Sequence, residues 1–271
     1  MDPQADPARL EKQTPVASTT TPPVVDLEET SPGYNASTAT KWLVVFATSF
    51  TALTATFSST SLFSAASDIA DEFGTTSEVV NASSAGILFL MGISTFFWGP
   101  LIPLIGRLYA WNSCVIALLA WTLAASFSPS LSYFMAFRLL SGLQGTFFHV
   151  TGQAILAEFF PPVRRGTATG LFLSGTVLGP PLGPLVAGII TTYTTWRVIL
   201  WVQCGMLAIC LTLSLLFLSK GGQNATITHP TLSQVLDVYN PLRVLKLFRF
   251  PNVLLADLAA GLLSLSLIHI S

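Results

Sequence analysis

From residue 42 onward the chain alternates long apolar runs with short polar joints. A helix needs about 20 mostly apolar residues to cross roughly 30 Å of hydrocarbon. Six runs are of that order: 42–63, 82–102, 110–127, 132–157, 168–191 and 198–218. A seventh starts near Asn252 and runs into the C-terminus. The pattern predicts an all-α membrane protein. Its expected parts are a six-helix bundle over 42–219, a cytosolic connection over 220–250 and an incomplete seventh helix over 251–271. Residues 1–41 break the pattern, being rich in Pro, Thr, Ser and acids, and they predict a disordered cytosolic tail. No short apolar stretch follows a basic start there, so the first run is expected to act as an internal signal.

Composition agrees with a lipid environment. The chain is 51% hydrophobic and only 9% charged, with a mean hydropathy of +0.65, whereas an ordinary soluble domain carries about 25% charged residues. A net charge of −1 gives no basic stripe for nucleic acid. Cys114, Cys204 and Cys210 all fall in apolar runs and read as small buried hydrophobes. No Ser/His/Asp set, metal-ligand cluster or phosphate-cradling glycine loop stands out, so no enzyme, metal site or cofactor is expected.

The cations set a predicted orientation, since Lys and Arg collect on the cytosolic side. With the tail inside, the cytosolic joints hold Arg9, Lys12, Lys41, Arg107, Arg164, Arg165, Lys220, Arg243, Lys246 and Arg249, and the outer joints hold Arg197. The acidic joint with Asp68, Asp71, Glu72 and Glu78 then lies outside. Within 220–250, the stretch Val235 to Phe250 mixes apolar residues with Arg243, Lys246 and Arg249. It suits either an amphipathic segment on the inner leaflet or a solvated linker. Of the sequons at Asn35, Asn81 and Asn224, only Asn81 falls outside, which makes it the candidate glycosylation site.

Polar residues inside the runs are the functional candidates. The first run carries Thr48, Ser49, Thr51, Thr54, Thr56, Ser58, Ser59 and Thr60, which suits a helix facing other helices or a wet cavity. In the fourth, Arg138, Gly142, Gly145, His149 and Gly152 follow a 4, 3, 4, 3 spacing and predict one stripe along a helix face. An Arg at mid-membrane costs about 2.5–3.5 kcal/mol on insertion scales. Arg138 is therefore expected to face the bundle interior, either as a coupling residue or as a tie between helices. His149 reads as a cavity-lining titratable group or as a hydrogen-bonded interior residue. The fifth run contains Gly175, Gly179, Pro180, Pro181, Gly183, Pro184 and Gly188. A membrane bundle tolerates such a helix, and it is expected to be kinked and closely packed. Between the second and third runs, Gly99 to Arg107 forms a tight turn.

In this order the pieces resemble the major facilitator superfamily, and within it the fungal twelve-helix drug:proton antiporters. The resemblance covers residues 41 to about 260. Gly99, Leu101, Gly106 and Arg107 match the family's first signature, Gly-x-Leu-x-Asp-Arg-x-Gly-Arg, while Pro103 and Leu104 replace its Asp and Arg. Arg138, Gly142 and Gly145 match a second signature, whose Arg the family implicates in proton coupling. Gly175, Gly179, Pro180 and Gly183 match the antiporter signature of the fifth helix.

The resemblance implies two six-helix halves with a substrate site between them, so the chain is expected to be a truncated first half. It implies efflux of a small organic molecule, a drug or secondary metabolite, by proton-antiport alternating access in the full-length form. The implied setting is multi-pass in the plasma membrane with a cytosolic N-terminus. No carboxylate lies in the first run to pair with Arg138; Glu158 and Asp257 stand at the fourth run's inner edge and in the seventh. The alternative reading is a truncated, non-transporting protein, favoured by Pro103 and Leu104. A third is a half-subunit that self-associates around a two-fold axis.

Overall fold

The computed structural model describes residues 32–218 and residue 255. The expectations for residues 1–31 of the tail, for the 220–250 connection and for the 251–271 helix lie outside the described residues, Leu255 apart.

The described chain is helical, with no strand among the described residues. Its helices are α1 (Thr38–Thr60), α2 (Ala66–Phe73), α3 (Ser77–Ile105), α4 (Arg107–Ser126), α5 (Leu131–Gly142), α6 (Gly145–Phe159), α7 (Pro162–Tyr193) and α8 (Arg197–Phe217). Among the described residues five helices are long and apolar enough to cross a membrane: α1 with its extension to Phe63, Ser77–Ser94 within α3, α4, α7 and α8. The fold is an all-α membrane bundle.

Local chemistry sets the ends. Ser37 caps α1 by accepting the Thr40 amide at 3.2 Å. Gly74 closes α2 in the left-handed conformation, φ +64°. Gly106 alone separates α3 from α4, at φ +89°, a value that glycine adopts without a Cβ clash. Pro162 opens α7 at its first turn, where no amide donor is needed.

Two elements differ from the sequence expectation. The acidic joint after the first run holds a short helix, α2. The run 132–157 is shared by α5 and α6, which meet at Leu143 and Gln144. Both residues keep right-handed helical angles, and their amides bond three residues back, to Leu140 and Ser141. The rod is therefore tightened there by a turn of 3₁₀ character.

The helices pack as α1 with α7, α4 with α8, α3 with α5, and α1 with α6 and α8. Their buried apolar side chains form two clusters. One gathers Val44, Ala52, Ala55, Trp111, Leu118, Phe147, Phe148, Phe172 and Leu207 toward the end that bears Arg107. The other gathers Leu62, Ile69, Val80, Ala125, Phe134, Ile199 and Leu200 toward the end that bears Glu72. Between them runs a buried polar layer: Ser58 on α1, Ser84 on α3, Thr122 on α4, Arg138 on α5 and Gln203 on α8.

Candidate functional site

Three residues of the polar layer sit between members of both clusters on their own helices. Ser58 lies between Ala55 and Leu62, Thr122 between Leu118 and Ala125, and Gln203 between Leu200 and Leu207. Arg138 is 4% exposed. It donates from Nη2 to the Ser84 hydroxyl at 3.3 Å, and its guanidinium carbon lies 5.9 Å from the Phe134 ring centroid. Its Nε is buried without a partner. The ion pairs among the described residues, Arg107–Glu158 and Arg197–Glu72, do not involve it. A neutral hydroxyl and an aromatic face compensate a buried cation only in part.

Arg138 lines a cavity of about 10 Å³ together with Ser58, Thr122, Ser141 and Gln203, closed on one side by Trp121 and Phe137. Such a space suits about one water molecule. Gln203 is held from two sides: Ser58 donates to its Oε1 at 3.1 Å, and its Nε2 donates to Ser61 at 2.6 Å. The amide is thereby fixed, and the layer ties α1 to α8 beside the unpaired cation. The sequence signal for Gln203 was an uncharged amide within the run 198–218, because a buried amide needs partners.

The stripe expected along the fourth run divides. Gly142 lies against the Ile87 backbone, where an added Cβ would stand 2.9 Å from the carbonyl oxygen, and Gly145 lies against Met91. Arg138, Gly142 and Gly145 thus face Ser84, Ile87 and Met91 of α3 in parallel register. Beyond the 3₁₀ turn, Gly152 faces the Phe172 ring of α7 instead. His149 is half-buried, and its Nδ1 lies 3.0 Å from the Gly145 carbonyl of its own helix.

A second seam joins α1 to α7. Gly175 lies against Ser49, Gly179 against Leu53 and Thr56, and Gly183 against Thr60 and Ser61. The threonines of α1 turn their hydroxyls onto preceding carbonyls, as Thr48, Thr51, Thr54 and Thr56 do at 2.8–3.0 Å; of these Thr56 lies on the seam, against Gly179, whereas Thr54 faces Cys210 of α8. Ser49 crosses to the Leu171 carbonyl at 3.1 Å, and Ser64 to that of Pro184 at 3.0 Å. Pro180, Pro181 and Pro184 sit inside the helix, where each removes an amide donor.

At the opposite end from α2, Arg107 pairs with Glu158 at 2.6 Å and donates to the Ala154 carbonyl at 3.1 Å. Glycine seams, a lone buried arginine and this corner together match one family pattern. A profile described as the Major Facilitator Superfamily covers residues 48–271. The chain belongs to the major facilitator superfamily. Relatives include the MFS antiporter QDR3 of Candida albicans, 27% identical over 161 residues, 59% of this chain and 23% of that one. The MFS-type efflux pump MFS2 of Trichophyton rubrum is 31% identical over 177 residues, 65% of this chain and 29% of that one. The MFS-type transporter MFS19 of Alternaria alternata is 35% identical over 150 residues, 54% and 30% respectively. The chain matches less than a third of the length of each.

As a member of this superfamily the chain is a multi-pass membrane protein, and the family points to a transporter rather than an enzyme. Within its fold, Gly99 falls inside α3, Gly106 makes the corner and Arg107 opens α4. Asn81 lies on an exposed part of α3, while the hydroxyl of Ser83, the third residue of its sequon, donates to the Val80 carbonyl at 2.6 Å.

Proposed function

We propose that the chain forms the first half of a small-molecule efflux transporter working by alternating access, with Arg138 as its interior charge. The observation that carries this reading is the buried, incompletely compensated Arg138 beside a cavity in a polar layer between two apolar clusters. A cation held so has a place for an exchangeable partner, and the partner required by proton antiport is an acid or a negatively charged substrate group. Efflux also accords with the names of the relatives, an antiporter and an efflux pump among them. The glycine seam between α1 and α7, with three prolines in α7, suits helices that shift against one another. No cofactor is assigned.

The excess of Lys and Arg at the Arg107 end supports a cytosolic N-terminus, and export from the cell supports the plasma membrane. The expected span boundaries over 42–219 remain part of this proposal, as does the candidate sugar at Asn81. The decisive experiment expresses the native gene in cells stripped of their own drug exporters and follows loss of preloaded fluorescent organic compounds. Arg138→Gln in the same gene is the comparison. Efflux by the native protein and its loss in the variant, at equal membrane abundance, is the expected result; equal retention in both and in empty cells defeats the reading.

A second reading, a non-transporting protein, is favoured by Pro103 and Leu104 in place of the signature Asp and Arg. It predicts no efflux from any cell expressing the native gene.

A further inference from the structure

Beyond transport, the Arg107 end of the bundle carries a second pocket remote from Arg138. It measures about 270 Å³ and is lined by Tyr34, Lys41, Trp42, Phe160, Arg164 and Thr167, among others. The starts of α1 and α7 both border it, through Thr38 and Pro161. Two features give it one electrostatic sign. Lys41 and Arg164 are cations, and neither takes part in the ion pairs of the described residues. The positive ends of two long helix dipoles converge beside them, and such ends favour anions. Among the described residues no carboxylate lines the pocket. Glu158, two residues before Phe160, is engaged by Arg107.

The neighbouring groups are arranged to leave the opening polar. Lys41 Nζ donates to the Tyr34 carbonyl at 2.8 Å, which fixes the ammonium at the pocket wall with donors to spare. Arg165 turns away to the Ala157 carbonyl at 3.2 Å, so Arg164 is the guanidinium that faces the pocket. Trp42 meets Phe160 edge to face at 5.9 Å, and indoles favour the level of lipid headgroups. From Trp42, an apolar exposed face continues along α1 through Leu43 and Phe46. A phosphate held between the cations would therefore have a lane for acyl chains beside it.

We propose that this pocket binds the phosphate group of an anionic phospholipid. The lane along Leu43 and Phe46 favours a lipid over a soluble phosphate, which needs no apolar neighbour. Basic pockets between membrane helices are suited to such headgroups, each cation near an anionic surface contributing about a fivefold gain in affinity.

The test uses the full chain purified in detergent and native mass spectrometry. Short-chain phosphatidylserine is titrated against short-chain phosphatidylcholine, with inorganic phosphate as competitor. The expected result is preferential retention of phosphatidylserine, on the order of thirtyfold weaker in Lys41→Gln/Arg164→Gln. The charge-keeping Lys41→Arg/Arg164→Lys protein should retain it, and that second variant also reports on folding. Should the neutral variant not fold, the single change Arg164→Gln is read instead, with about a fivefold loss. Equal retention of both lipids, or retention indifferent to the two charges, overturns the site. Displacement by millimolar inorganic phosphate assigns the pocket to a soluble ligand and overturns the lipid. Retention that appears only after Asp26, Glu28 and Glu29 are neutralised makes the chain's own acidic stretch the occupant, and overturns it too.

Discussion

Trp98 donates its indole N–H to the carbonyl of Leu143 at 2.8 Å, at the place where α5 gives way to α6. The indole of α3 thus binds the carbonyl of the residue at which the turn tightens. Thr146 reinforces the junction by donating to the Met91 carbonyl at 2.6 Å. Trp98→Phe keeps an aromatic ring beside Phe147 but removes the donor together with part of the buried ring volume. It should lower stability by about 1–3 kcal/mol, the range for leaving a buried acceptor unpaired. Thermal unfolding in detergent, scored against the native protein, checks this; an unchanged midpoint would show that the carbonyl finds another donor.

Arg138 allows a separation of folding from function. A buried cation without an acid is a stability burden, and replacing buried charges by apolar groups of similar size is often neutral or stabilising. Arg138→Met should therefore melt no lower than the native protein, yet abolish efflux in the cell assay. If the variant unfolds and Arg138→Lys rescues it, the residue serves to tie helices.

Gly175 and Gly179 are where α7 touches α1. A Cβ at Gly175 would stand 2.6 Å from the Ser49 carbonyl oxygen, and one at Gly179 would stand 2.9 Å from that of Leu53. Neither obstacle is the flexible end of a side chain. Gly175→Ala should cost about 1–3 kcal/mol, the usual penalty for overpacking. Gly170→Ala, whose Cβ meets open space, should not. Comparative unfolding of the two variants decides the matter, and equal losses would mean that the seam is looser than described.

Glu72 closes the other end. It accepts from Trp196 Nε1 at 2.7 Å and pairs with Arg197. The Arg197 hydrogen bond holds its carboxyl below the ordinary value, against the opposing effect of burial. A lowered folded-state value means that the contribution is complete above the ordinary carboxylate range and is lost as pH falls through the lowered value. Both side chains are about a third exposed, so the pair is worth no more than about 1 kcal/mol. Glu72→Gln should lower stability at neutral pH by up to about 1 kcal/mol and match the native protein at low pH, where the carboxyl is protonated, so that the acid side of the profile flattens. A parallel shift at every pH would place the effect in packing around Trp196.

Much of this was legible along the chain. The all-α membrane class needs only one-dimensional information, because long apolar runs with few charges leave helices in a bilayer as the way to satisfy the backbone. The glycines and prolines of the run 168–191 announced close packing, and α1 supplies the matching small surface. A charge alone in an apolar run, as Arg138 is, has few places to go. What the chain did not disclose depends on neighbours. The 3, 4 spacing through Gly152 assumes a uniform helix, and the 3₁₀ turn at Leu143 changes the phase. Gly152 consequently faces Phe172 rather than α3. Helix α2 was hidden because an eight-residue amphipathic stretch in an acidic joint has no length signal. Gln203 was hidden because its two hydroxyl partners, Ser58 on α1 and Ser61 just past its end, lie more than 140 residues away in sequence.

The polar layer also has an electrical position. Arg138 lies seven residues into α5, about 10 Å along the helix axis from Leu131, and on the proposed spans Leu131 stands near the edge of hydrocarbon roughly 30 Å thick. An ion or charged substrate that reaches it from the Glu72 end crosses only about a third of the membrane potential, and one arriving from the Arg107 end crosses the remainder. Moving a unit charge across the whole membrane is worth about 2.3 kcal/mol per 100 mV. Voltage therefore weighs mainly on the step that links this layer to the Arg107 side.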